Sequence, residues 1–119
     1  MGEMVFEKNI VLQDMGSVSE LICPRCRSAN LHHEGVTVFS RGEDAPSLVR
    51  IDVSGATVTT DLVKSSGSQN PSSRRDGLAV RFSCEGCGGN AEDDIIELTI
   101  AQHKGSTELG WRYTTMRLK

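Results

Sequence analysis

The chain has 119 residues with a formal net charge of −3 at pH 7, and 37% of its residues are hydrophobic. This length corresponds to one domain, whose core is thin because only 4% of the residues are aromatic. The mild negative charge excludes a general attraction to nucleic acid or anionic membranes. No stretch approaches the roughly 20 apolar residues of a membrane span.

The first predicted unit is a loosely ordered N-terminal arm over residues 1–20, which lack a sustained hydrophobic period but leave room for a short strand at MVFEKNIVL. Residues 21–119 are predicted to form a single β domain. Its first strand is LHHEGVTVFSR, where alternation of apolar and polar residues is interrupted by Gly35, a candidate β-bulge. LVRIDVSG and ATVTTDL alternate in the same way, and Ser54-Gly55 between them predicts a hairpin turn.

The segment 64–77 reads KSSGSQNPSSRRDG and contains no apolar side chain, so we expect it to bury nothing and predict a mobile loop. Three further alternating stretches follow: LAVRFSC, DIIELTIAQ and ELGWRYT, with a turn at Gly105 between the last two. No window favours a helix longer than about two turns. The expected fold class is therefore all-β, a small antiparallel domain.

The chemically specific feature is a pair of Cys-x-x-Cys motifs. They are formed by the four cysteines of the chain, Cys23, Cys26, Cys84 and Cys87. Structural zinc takes four ligands in a tetrahedron, and two cysteines separated by two residues in a tight turn bind the same ion. Pro24 would rigidify the first turn, and Gly86, Gly88 and Gly89 would let the second adopt left-handed conformations.

The sequence gives less support to other roles for the cysteines. A redox dithiol needs a helix amino terminus, usually in a β-α-β pattern, and a disulfide within either pair would be strained. Iron or another metal also accepts four thiolates, and a Cys₃His set with His32 or His33 stays open. We predict one structural Zn²⁺ per chain in a closed site, which would bring the loaded charge to about −5.

Two Cys-x-x-Cys knuckles framing β-strands resemble the zinc-ribbon class. The stretches CPRCRSANLHHEGVTVFSR, NPSSRRDGLAVRFSCEGCGG and IELTIAQHKGSTELGW resemble small zinc-ribbon-like proteins of bacteria and phages, whose function is unassigned. The resemblance covers residues 21–112. It implies zinc ligation by the four cysteines and no enzymatic activity. Typical ribbons hold about 15–20 residues between knuckles, so a zinc-ribbon core here would carry an inserted β-sheet.

Arginines near both knuckles predict a surface that binds a partner. The four candidates are Arg25, Arg27, Arg74 and Arg75. We expect a zinc-stabilised binding module without catalysis that mediates contact with another protein. Arginines that merely offset the negative metal centre are one alternative, and a nucleic-acid-binding zinc ribbon is another, disfavoured by the scarcity of aromatic side chains.

A small enzyme that uses His32, Glu34 and His103 as acid–base groups is the remaining alternative.

The first 20 residues lack a basic region followed by an apolar run, so no secretory signal is expected. Paired cysteines in a reducing compartment favour metal binding, and we expect a cytoplasmic protein without membrane contact. The oligomeric state stays open.

Overall fold

A computed structural model describes residues 3–87 and 94–115, which form an antiparallel β-protein. Its strands are β1 (Met4–Glu7), β2 (Leu12–Asp14), β3 (Ser19–Leu21), β4 (Leu31–Ser40), β5 (Ser47–Ser54), β6 (Thr57–Lys64), β7 (Gly77–Cys84), β8 (Ile96–His103) and β9 (Ser106–Thr114). A short 3₁₀ helix covers Glu85–Cys87. Seven strands form one sheet in the order β1-β9-β8-β7-β4-β5-β6, and β2 and β3 form a separate hairpin. The all-β prediction is confirmed. Within the described residues no helix has the length and apolarity of a membrane span.

The strands from β4 to β9 lie where alternation predicts them. The register of β4 against β7 shifts between His33 and Gly35, which confirms the predicted bulge. Gly55 and Gly105 have φ angles of 60° and 82°, so both hairpin turns use backbone that favours glycine.

The first 20 residues take part in the sheet more than their pattern suggests. β1 pairs with β9 along Met4–Glu7 and forms one edge of the sheet. β2 and β3 pair with each other, from Leu12 opposite Leu21 to Asp14 opposite Ser19. The predicted looseness of this arm stays a prediction, but its strands are hydrogen-bonded elements of the fold.

The two faces of the sheet differ in chemistry because successive side chains of a strand point to opposite sides. One face, which we call the charged face, carries Arg50, Asp52, Asp61, Arg81, Glu97 and Arg112. The other face is apolar. At one end it packs against the cysteines, Ile10 and Leu21, where Ile96 and Trp111 are buried.

The rest of the apolar face has no second layer over it among the described residues. We call this region the apolar patch. It consists of Val36, Val38, Val49, Ile51, Val53, Val58, Leu62, Leu78, Val80, Ile100 and Leu109. All of these side chains remain partly or largely exposed, and Leu62 and Val58 reach 76% and 64% exposure.

The segment 64–77 lies against the charged face, and two of its five serines are buried. Ser68 and Ser72 are only 6% and 4% exposed. The Ser72 hydroxyl donates to the Gln102 carbonyl oxygen at 2.7 Å, and Arg112 Nη1 donates to the Gln69 carbonyl oxygen at 2.7 Å. The expectation that this segment buries nothing is therefore wrong. Its mobility stays a prediction.

Candidate metal centre

The sheet brings the two knuckles together. The first knuckle leads into β4, and the second begins at the end of β7, which pairs with β4 in antiparallel register. Leu31, just after the first knuckle, lies opposite Cys84, the first residue of the second. A separation of more than 50 residues along the chain thus becomes one strand spacing, about 4.8 Å. Strands β5 and β6 are the predicted inserted part of the sheet.

The four sulfur atoms form a compact cluster with the dimensions of a metal site. All four Sγ atoms lie within 4.8 Å of one another. The Cys26–Cys84 distance is 3.5 Å, the Cys23–Cys87 distance is 3.8 Å, and none of these four cysteines forms a disulfide. A tetrahedron with Zn–S bonds of about 2.3 Å has edges of roughly 3.8 Å. The four sulfur atoms and their spacing fit a metal ion that is coordinated tetrahedrally by thiolates.

Backbone geometry shapes the first knuckle. The Cys23 N–H donates to the Ser28 carbonyl oxygen at 2.8 Å, and the Arg27 N–H donates to the Cys23 carbonyl oxygen at 3.0 Å. The Arg25 N–H donates to Cys23 Sγ at 3.4 Å, an orientation that stabilises a thiolate. Arg27 takes the left-handed conformation at φ 67°, so the strained residue of this turn is an arginine.

Gly86 serves the second knuckle by its size. A Cβ atom added there would lie 2.3 Å from the Ser28 Cβ and 3.0 Å from Cys26 Sγ. Its φ is not in the left-handed region, so the predicted conformational reason for this glycine is wrong. It is required because the two knuckles touch at this point. Gly88 and Gly89 lie outside the described residues.

Burial and mutual hydrogen bonding shift the pKa values of the individual cysteines in different directions. Burial raises the pKa of Cys84 and takes that of Cys87 far above the ordinary value, and the hydrogen bonds with Cys26 add to both shifts. Burial also opposes ionisation of Cys26. Hydrogen bonds from the Ser28 backbone and the other thiols outweigh it, so the pKa of Cys26 is lowered. Without a cation, four thiolates cannot share this space, because like charges a few ångströms apart repel.

The cysteine cluster is part of the hydrophobic core. Cys23 and Cys84 are fully buried and pack with Ile96 and Trp111, and the Phe82 ring meets Trp111 edge to face at 5.7 Å. Anything that separates the knuckles would therefore open this buried cluster.

Arg25 is a structural residue of the centre. Its side chain is only 4% exposed, and Nη1 lies 3.4 Å from Oδ2 of Asp94, whose side chain is 8% exposed. Neither its Nε nor its Nη1 finds a hydrogen-bond partner among the described residues. The buried ion pair joins the first knuckle to Asp94, just before β8. A partner would not reach this guanidinium.

The other candidate arginines lie apart from the sulfurs. Arg27 is exposed on the first knuckle. Arg74 makes a bidentate contact with Asp44, with Nε–Oδ1 and Nη2–Oδ2 distances of 3.0 and 2.8 Å, and Arg75 lies 3.2 Å from Glu43. The hydrogen bond and charge of Arg74 hold the pKa of Asp44 below its usual range. These pairs join the segment 64–77 to the turn before β5.

The acid–base trio suggested by the sequence does not come together. His32 Nε2 lies 2.9 Å from Glu85 Oε2 in an exposed pair. His32 is opposite Ser83 at one end of β7, whereas His103 lies two residues past the partner of Gly77 at the other end, about 26 Å away along the strands. Glu34 is exposed at the bulge. Among the described residues, the four cysteines are the one group arranged to hold a metal ion.

The charged face holds a cavity of about 490 Å³ that sequence patterns did not single out. Arg81 Nη1 lies 3.4 Å from Asp52, and Arg112 Nε donates to Glu97 at 2.7 Å.

Comparisons of the chain with family models, with curated proteins and with solved structures find no match. The zinc-ribbon resemblance therefore depends on the cysteine motifs and on the cluster that they form.

Proposed function

We propose that Cys23, Cys26, Cys84 and Cys87 hold one structural Zn²⁺ per chain. The support is the cluster itself: four cysteine sulfur atoms, none of them in a disulfide, within 4.8 Å of one another. Zinc bound there would cross-link the start of β4 to the end of β7. A four-thiolate set leaves no open coordination position, so the proposal assigns the ion a structural role and the chain no catalysis.

The metal stabilises a module whose function we propose to be protein binding. The observation that carries this proposal is the apolar patch, because soluble monomers rarely expose continuous apolar surfaces of more than a few hundred Å². Four of its residues are exposed by at least 40%: Val53, Val58, Leu62 and Leu109. Such a surface favours a protein partner that buries it.

The arginines favour a protein partner over nucleic acid. Nucleic-acid binding draws its affinity from cations that are free to neutralise phosphates. Here Arg25 is paired with Asp94, and Arg74 and Arg75 are paired with Glu43 and Asp44. Of the four arginines proposed from the sequence, this leaves Arg27 as the residue best placed to contact a partner. Free thiols also suit the reducing cytoplasm, where we place the protein.

The test measures how much of a bound protein or nucleic acid stays on the immobilised, zinc-loaded chain as salt rises from about 50 to 200 mM. A protein held by the apolar patch stays bound, whereas nucleic acid is lost because phosphate contacts weaken steeply with salt. Val58→Asp should abolish retention, and Val18→Asp should not. Both valines are 64% exposed, but Val18 lies between β2 and β3, away from the patch. Retention that survives Val58→Asp would refute the proposal.

A further inference from the structure

We infer that the apolar patch is covered by a second copy of this chain, so that two sheets pack face to face as a homodimeric β-sandwich. The inference rests on the proposed protein-binding function and names the partner. It concerns a surface separate from the metal centre.

The patch is continuous across six neighbouring strands. One cross-strand row, from β6 to β7, comprises Val58, Val53, Val36 and Val80. The next, from β6 to β9, comprises Thr60, Ile51, Val38, Leu78, Ile100 and Leu109. No position in these rows is charged. The charged residues of the same strands, such as Arg50 and Asp52, point to the opposite face.

A sheet with one apolar face is stable when that face packs against another layer. The β2–β3 hairpin and the knuckles supply that layer only over the end that contains Ile96 and Trp111. The described chain offers no element that would cover the remainder. A layer from outside the described part of the molecule is therefore required.

The area of the patch matches what a dimer needs. Each side chain on a sheet face occupies about 4.8 Å by 6.8 Å, or roughly 33 Å². The eleven aliphatic positions with Thr60 thus project onto about 400 Å² per copy. Accessible area exceeds projected area because the side chains stand out from the sheet. Two copies would bury more than about 800 Å², which approaches the roughly 1,000 Å² that a specific interface needs.

A second copy suits this surface better than an unrelated protein. Homodimer interfaces are the most apolar class, and their cores are poor in charge. Two identical sheets stack about 10 Å apart, and a twofold axis closes the contact without leaving a further surface open. The charged faces then lie on the outside of both copies. The rows that would touch contain no charged residue, so no like charges meet in the contact.

Sedimentation velocity of the zinc-loaded chain over a range of concentrations tests the inference. The parent should sediment as a concentration-dependent dimer. Val58→Asp should raise the dissociation constant by more than about 100-fold, because each dimer would bury two unpaired carboxylates. Val18→Asp, a change at an equally exposed valine outside the patch, should leave the dimer intact. Zinc content and Trp111 fluorescence report whether each variant keeps the fold.

Leu109→Asp separates face-to-face packing from pairing of the exposed edge strand β6. Leu109 is 52% exposed on β9, and four strands separate β9 from β6. The inference predicts a monomer for this variant, and a dimer that tolerates it would overturn the inference. A parent that stays monomeric at all concentrations would also overturn it. If that monomer still retained a host protein that Val58→Asp loses, the protein-binding function would stand without the second copy.

Discussion

Replacing Arg25 by alanine removes one half of the buried ion pair that joins the first knuckle to Asp94. The side chains of Arg25 and Asp94 are 4% and 8% exposed, so the aspartate would keep a buried charge without this cation. Breaking such a pair from one side typically costs about 3–5 kcal/mol. A domain of this size is stable by only about 5–15 kcal/mol, so the loss is a large share of the total.

The assay is urea unfolding of the zinc-loaded chain, followed by fluorescence of Trp111, the only tryptophan. With a urea dependence of about 1–3 kcal/mol per molar, the midpoint should fall by at least 1 M. Arg27→Ala is the matched control. Arg27 lies on the same knuckle but is exposed, so its loss should change stability by less than about 0.5 kcal/mol. Equal, small shifts for the two variants would refute the structural role of Arg25.

Two further predictions concern the contact between the knuckles and the ion pair of the β4–β5 turn. Gly86→Ala should weaken zinc binding in a competition with a chelator, because the added Cβ would lie 2.3 Å from the Ser28 Cβ; unchanged affinity would contradict the close approach. In an NMR titration the Asp44 carboxyl should titrate below its ordinary value of 3.8, and Arg74→Gln should return it towards that value. Because the pKa of Asp44 is lowered in the folded chain, the pair contributes stability above pH 3.8, and this stability is lost as pH falls through the folded pKa. A normal titration of Asp44 in the parent would mean that the pair does not form.

Local pattern is enough to predict much of this fold. Alternation in β4, β5 and β7–β9 identifies the strands, and Gly55 and Gly105 mark the turns because their positive φ angles favour glycine. Gly35 marks the bulge, where a Cβ atom would meet the Arg81 guanidinium. The cysteine cluster is predictable for a similar reason. Two Cys-x-x-Cys turns can satisfy one tetrahedral ion only by meeting.

The rest depends on contacts between distant parts of the chain, which local pattern does not encode. The charge of Arg25 predicts exposure, but the knuckle turns its side chain to Asp94. Arg74 belongs to a polar segment, yet its partner Asp44 lies 30 residues earlier. The buried serines Ser68 and Ser72 have no apolar signal at all, because their burial depends on hydrogen bonds.

Zinc titration of the metal-free, reduced chain, followed by far-ultraviolet circular dichroism, tests the central claim most directly. Where a thin core depends on a metal cross-link, the free energy of metal binding is largely free energy of folding. We predict that the β signal develops with added zinc and saturates at one equivalent per chain, and that Cys84→Ser fails to reach it. A metal-free chain that already has the full β signal, or saturation at another stoichiometry, would contradict the account.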